Sequence, residues 1–435
     1  MQTASKKVVN GWAMYDWANS VYNLVITTSF FPIYFLAVTG KGEDHHVSFL
    51  GREFVNSSLY DYILATSYLL VALLYPILTS IADTRGNKKN FMRFFCYMGA
   101  IGCSSLFFFQ EHTLTIGIIS FMLAAMGYAG SLVFYNAYLP EIAAPADQDR
   151  ISARGFSFGY IGSVIMQFIG FGLVTAMSDT PEEKLQAIRI TFLLVGIWWF
   201  GFAQITFRRL PNANVKKAQK GHILKDGFIE MKKVYAQVKQ LPVLKRYLRG
   251  FFFYSMGVQT VMLAATLFGS KVLKLPDTNL IVTVVLIQLV AILGAWSMSR
   301  LSARFGNLKV LMGVILFWIV ICLAAYYTAS LAEHGVNTEY YFYVLALGVG
   351  LVMGGIQSLS RSTYSKLMPE TKDTASFFSY YDLTEKLAIV IGIFSFGFIE
   401  EVTGSMKNSI LSLIVFFTIG LIWLIAALQK QKQQA

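Results

Sequence analysis

The sequence predicts an all-α integral membrane protein of twelve transmembrane helices, arranged as two six-helix repeats. Three observations carry this reading. The 435 residues are 55% apolar and only 14% charged, against roughly 25% charged in soluble domains, which excludes an ordinary soluble enzyme. Apolar runs of membrane length recur along the whole chain; at about 20 residues per crossing, twelve use roughly 240 positions and leave roughly 195 for loops, termini and one linker. Turn motifs of the first half also return in the second.

Helix 1 (13–38) follows MQTASKKVVNGWAMYDW, and no small-residue A-x-A cleavage site ends it, so it reads as a retained helix rather than a signal peptide. Helices 2 (59–81) and 3 (92–110) flank a basic turn. Cys96 and Cys103 in helix 3 are seven positions apart, about 10 Å along the axis and too far for a disulfide; with Cys322 they read as small core fillers. Helices 4 (114–138), 5 (153–177) and 6 (187–207) complete the first bundle, residues 1–207. The dense glycines of helix 5 (Gly155, Gly159, Gly162, Gly170, Gly172) suit tight helix packing. Residues 208–246 form a basic linker whose middle, HILKDGFIEMKKVYAQVKQL, alternates apolar and basic residues at near-helical spacing; it lies on the bilayer face or is a solvated connector. Helices 7 (248–270), 8 (279–301), 9 (308–330), 10 (340–366), 11 (375–399) and 12 (406–428) form the second bundle, residues 247–435.

A net charge of +12 on a soluble protein would suggest nucleic acid, but no nucleic-acid-binding pattern accompanies it, and anionic membrane lipid is the expected partner. With a cytoplasmic N-terminus, 28 of the 36 basic residues fall in cytoplasmic segments, twelve of them between Arg208 and Arg249. The opposite loops hold seven, and Lys386 lies inside helix 11. Basic loops resist translocation, so both termini are expected inside the cell membrane. All five histidines fall in loops, which argues against a zinc site or an intramembrane histidine relay; no metal or cofactor is expected.

The repeat is visible in two places. Ile81-Ala82-Asp83-Thr84-Arg85-Gly86-Asn87-Lys88-Lys89 after helix 2 shares its Gly-Asn-x-Lys core with Leu301-Ser302-Ala303-Arg304-Phe305-Gly306-Asn307-Leu308-Lys309 after helix 8. Tyr135-Asn136-Ala137-Tyr138-Leu139-Pro140-Glu141 shares its Tyr, Pro and Glu with Tyr364-Ser365-Lys366-Leu367-Met368-Pro369-Glu370. Two halves in one orientation with matching turns are the organisation of a transporter built from repeats.

The segment Ala82-Asp83-Thr84-Arg85-Gly86-Asn87-Lys88-Lys89 is similar to the loop signature of the major facilitator superfamily, with Asn87 where a basic residue is common. Tyr15-Asp16-Trp17-Ala18-Asn19-Ser20, Tyr135 to Pro140, Gly159-Tyr160-Ile161-Gly162 and Gly354-Gly355-Ile356-Gln357-Ser358-Leu359-Ser360-Arg361 together resemble its vacuole-effluxer-like branch, over nearly the whole chain. The resemblance implies twelve helices, alternating access and, by analogy with fungal relatives, export of an amino acid or related metabolite. Fold analogy alone does not determine a substrate.

Polar side chains within apolar spans mark candidate sites. In helix 1, Asp16, Asn19, Ser20, Asn23 and Thr27 fall within about 100° of one another at 3.6 residues per turn, and Tyr34 continues the line. They line a water-filled path, or the asparagines bond neighbouring helices. Gln357, Arg361 and Tyr364 mark one face of helix 10, and Tyr128, Ser131, Tyr135 and Tyr138 one face of helix 4; pathway and repeated packing both suit them. Helix 11 holds Asp382, Glu385 and Lys386, the first about 10 Å and the last about 16 Å from its cytoplasmic end. Asp382 and Lys386, four apart, are expected to neutralise each other, leaving Glu385 as the candidate for proton coupling and Lys386 for an anionic substrate group; the alternative is a purely structural cluster. In the helix 2–3 turn, Asp83, Arg85 and Gly86 are gating candidates. Asp83 is expected against the N-terminus of helix 11, near Asp373 and Thr374, and Arg85 against an acid such as Glu141; the alternative is a turn that merely obeys topology.

An enzyme needs a convergent nucleophile, base or metal set, and no H-E-x-x-H, G-x-S-x-G or G-x-x-x-x-G-K is present. A channel usually brings a pore ring and a sensor an output domain; neither is visible. The function expected is therefore secondary active transport of a small solute by a monomer, driven by a proton, another ion or the solute's own gradient, with a membrane enzyme or lipid-handling protein as the alternative on the same scaffold.

Overall fold

The computed structural model describes residues 2–40, 46–85, 87–177, 179–212 and 223–434. The long helices are α1 (Lys6–Thr39), α2 (Asn56–Arg85), α3 (Lys88–Ser105), α4 (Leu114–Ala137), α5 (Gln148–Ala176) and α6 (Pro181–Arg209) in one half. The other half has α7 (Pro242–Leu267), α8 (Asp277–Phe305), α9 (Asn307–Glu333), α10 (Glu339–Leu367), α11 (Thr374–Thr403) and α12 (Met406–Gln434). A separate linker helix, Ile223–Gln240, precedes α7, which starts six residues before the expected position.

Eleven of these helices among the described residues are long and apolar enough to cross a bilayer, against the twelve expected. The exception is α11. Every eighteen-residue stretch of it carries at least three charged residues, drawn from Asp382, Glu385, Lys386, Glu400 and Glu401. The outer surface elsewhere exposes Leu73, Phe94, Ile101 and Leu293, the side chains that lipid rather than water would cover.

Within the first half α1 packs on α5 and α6, and α3 on α4; within the second α7 packs on α11 and α12, and α8 on α10. The halves meet through α5 with α8 and α10, and through α11 with α2 and α4. Advancing six helices carries the α2–α11 contact onto α8–α5, so the repeat read from the turns is also a repeat of the interface. The shared Gly-Asn motif has a backbone reason at its second copy. Gly306 has φ +86°, a left-handed conformation glycine adopts without a Cβ clash, and Asn307 then starts α9.

The elements not anticipated include a π-helical stretch and a hairpin. Tyr22–Phe30 within α1 is π-helical, which frees backbone acceptors: the Leu24 carbonyl receives Gln167 Nε2, Thr28 Oγ1 and Ser29 Oγ, each at 2.9 Å. His46–Phe49 and Arg52–Val55 pair as an antiparallel hairpin (β1, β2) around Leu50 and Gly51, both at positive φ, as a twist-matched two-residue turn requires. The cysteines are free and buried, as expected of core filler. Of the helix 5 glycines, Gly155, Gly159, Gly162 and Gly170 are in close contact with neighbouring elements, whereas Gly172 faces open space, so packing does not explain it.

Candidate functional site

The polar side chains converge where α1, α4, α5, α10 and α11 meet. Asp16 and Arg361 are 4% and 3% exposed, and Arg361 Nη2 lies 3.3 Å from Asp16 Oδ2. A charge at membrane depth is expensive unless paired, and both have further partners. Tyr135 Oη donates to Asp16 Oδ2 at 2.7 Å. Arg361 donates from Nε to Ser152 Oγ at 3.0 Å, from Nη2 to the Ser152 carbonyl at 2.9 Å and from Nη1 to Asn136 Oδ1 at 3.4 Å. Its guanidinium also sits 4.8 Å from the Trp12 ring centre and 4.3 Å from that of Phe156, the geometry of a cation–π contact. Gly155 leaves the room for this, because a Cβ there would run into the Asp16 carboxylate and crowd Arg361 and Tyr135.

Asn136 extends the network into α11, donating from Nδ2 to Asp382 Oδ1 at 3.3 Å. Here the structure corrects the expected pairing. Lys386 pairs with its neighbour Glu385 at 3.1 Å, not with Asp382, and lies 5.1 Å from the Tyr68 ring centre. Glu385 is held by Gln259 Nε2 from α7 at 3.2 Å. The carboxylate with an unoccupied oxygen is instead Asp382, 3% exposed, whose Oδ2 has no hydrogen-bond partner in the structure. The short Asp side chain is drawn to Asn136 on α4, while the longer Glu385 reaches round to the ammonium.

At the end of the molecule that bears the linker, two clusters fasten the halves. Asp83 Oδ2 accepts from the Ser376 amide and Ser376 Oγ, both at 2.8 Å, and Oδ1 from the Ala375 amide at 3.3 Å. An anion is thus seated on the first turn of α11, where the helix dipole favours it, as expected for Asp83. Lys88 carries an ion pair with Glu141 and donates to Thr374 Oγ1 at 2.7 Å. The side chain of Arg85, and Gly86 altogether, lie outside the described residues. Across the repeat, Asp149 on α5 receives Ser302 Oγ at 2.8 Å, Asn307 Nδ2 at 2.7 Å and Lys366 Nζ at 2.6 Å.

The helix 1 stripe survives in part. Asp16 joins the network; Asn19 is 1% exposed with neither amide atom bonded, and Asn23 is half-buried. From Tyr22 to Phe30 the π-helical stretch changes the residue count per turn, and beyond it Tyr34 points into its own half, donating to the Phe109 carbonyl at 2.5 Å. Gln357 accepts from Tyr160 Oη at 2.7 Å. Tyr364 is fully buried and donates to the Phe377 carbonyl at 2.6 Å, so its role in the fold differs from that of its repeat partner Tyr135. Sequence reasoning passed over Trp12, Asn136, Ser152, Lys88 and Asp149. Asn136 had a signal, as the amide within the Tyr135–Tyr138 motif; Ser152 and Asp149, before helix 5 as drawn, had none.

The model of the family described as vacuole effluxer Atg22 like matches residues 4–435. The chain belongs to this Atg22-like family. It is 31% identical to the MFS-type transporter YxiO of Bacillus subtilis over 96% of this chain and 94% of that protein. Autophagy-related protein 22 of Saccharomyces cerevisiae is 22% identical, over 92% of this chain and 88% of that one. Among solved structures, a bacterial homologue of the iron transporter ferroportin in an outward-facing state superposes with a TM-score of 0.69 at 13% identity, covering 97% of this chain and 98% of that one. The Escherichia coli fucose:proton symporter FucP gives 0.68 at 13%, with 97% of each chain covered. The Atg22-like chain therefore has the major facilitator fold and is a multi-pass membrane protein of a transporter family.

Proposed function

We propose that this Atg22-like protein is a secondary transporter that exports a small zwitterionic solute, of the amino-acid kind, across the cell membrane by alternating access, with both termini cytoplasmic and α11 as the twelfth span. The observation that carries the reading is the Asp16–Arg361 pair, buried and shared between the two halves. A solute bearing a carboxylate and an ammonium can divide that pair, its carboxylate on Arg361 and its ammonium on Asp16, and so exchange one set of partners for another as the halves rock. The clusters around Asp83, Lys88 and Asp149 act as the cytoplasmic gate, shut in this state. Asp382, with one oxygen unoccupied and a bond through Asn136 to Arg361, is the residue assigned to carry a coupling proton. The test is a thermal-shift screen of the purified protein against amino acids, sugars, peptides and organic acids, since a ligand that binds the folded state raises its stability. The hits are then used in counterflow from proteoliposomes. Zwitterions should stabilise the wild type and not Arg361→Gln; stabilisation by sugars or organic acids alone would overturn the substrate assignment.

A further inference from the structure

The linker helix Ile223–Gln240 has two dissimilar faces. One is seated on the bundle: Val234 and Val238 are 2% and 4% exposed and the helix packs on α2, α7 and α11. Lys233 Nζ bonds Asp373 Oδ2 at 3.0 Å, immediately before the α11 turn that holds Asp83. The opposite face is open. Lys225, Lys232 and Lys239 recur at seven-residue intervals, which places them within about 40° of one another on a helix. Phe228 and Ile229, 57% and 53% exposed, flank that stripe on either side. Four lysines against Asp226 and Glu230 leave the helix cationic. Only Leu241 separates it from Pro242, the first residue of α7, so its C-terminal end is tied to the level where a membrane-crossing helix begins.

We propose that this open face binds anionic lipid headgroups, with Lys225, Lys232 and Lys239 on the phosphates and Phe228 and Ile229 inserted into the interfacial layer beside them. A solvated connector has no use for two large apolar side chains beside a lysine stripe, whereas an interfacial helix needs both. Because the other face grips α2 and the start of α11, the same helix ties the headgroup layer to the Asp83 contact. The identity of the transported solute does not enter the argument.

The test places a spin label at Phe228→Cys in the full-length protein, whose native cysteines are buried, in vesicles of phosphatidylcholine with or without one-third phosphatidylglycerol. In anionic vesicles the label should collide readily with oxygen and poorly with a water-soluble nickel chelate. Each lysine near an anionic surface contributes enough that three shift the surface-bound fraction by about a hundredfold. The lipid-like signature should therefore be lost in K225Q/K232Q/K239Q, in pure phosphatidylcholine, and at about 1 M salt, where the screening length falls to about 3 Å. A label in water in both vesicle types would overturn the proposal, as would equal immersion in both. Shielding from both reagents would place a protein, not lipid, on this face and would overturn it too.

Discussion

At the scale of single residues the buried charges decide most. Removing one member of a buried pair strands the other, at a cost of about 3–5 kcal/mol, while removing both is far milder. Arg361→Ala should therefore lower the thermal stability of the detergent-solubilised protein severely, and the double variant Asp16→Ala/Arg361→Ala should be more stable than the sum of the single effects allows. Additive losses in that cycle would mean that the two groups do not act as a pair. Asp382 and Glu385 separate by partner. Asp382→Asn should abolish dependence on a pH gradient in proteoliposomes while leaving solute exchange measurable, and Glu385→Gln, whose native side chain already has Lys386 and Gln259, should retain it. The reverse result would return proton coupling to Glu385.

At the scale of elements, contact between helices sets what each residue can do. Gly155 lets α5 approach Asp16 on α1; Gly155→Ala forces a methyl against a satisfied carboxylate, so a loss of about 1–3 kcal/mol in stability is expected, as for other overpacked sites. A stability scan beside Gly172→Ala, where the space is open, supplies the control. Asp83 on the first turn of α11 is worth about 1–2 kcal/mol as a charge at a helix N-terminus, a factor of about 5 to 30 in a two-state ratio. Asp83→Asn should raise labelling of Asn19→Cys from the cytoplasmic side of inverted vesicles by about that factor. Unchanged labelling would leave Asp83 as a turn residue only.

At the scale of the molecule, the two clasps are related by the repeat: Asp83 joins the α2–α3 turn to α11, and Asp149 joins α5 to the α8–α9 turn and Lys366. If the halves rock as rigid bodies, both clasps break in the same step and their free energies add. Asp83→Asn/Asp149→Asn should then shift the population open at the linker end by the product of the single factors, read from the distance between spin labels on the linker-side ends of α2 and α11. A double variant no further shifted than the stronger single one would mean that the clasps open separately.

The amino-acid sequence by itself determined what depends on composition and local spacing. Length and apolarity of the runs follow from the bilayer, the basic turns from the cost of translocating charge, and the Gly306-Asn307 turn from backbone geometry. The seat of Asp83 on α11 was also legible, because a carboxylate and a helix N-terminus attract wherever the fold brings them together. Only the tertiary structure decided which partner each charge takes. Asp382 and Lys386 are correctly spaced on one helix, yet Asp382 is bonded by Asn136 of α4, while Lys386 pairs with Glu385, which Gln259 of α7 also holds, and no count along helix 11 contains those neighbours. Lys88 meets Glu141 on α4's C-terminal side for the same reason. Tyr34 leaves the helix 1 stripe because the π-helical stretch Tyr22–Phe30 changes the residue count per turn, and Gln167 of α5 bonds the Leu24 carbonyl within that stretch from outside α1. Periodicity shows which face of a helix is polar; the helix packed against that face decides what the polar groups bind.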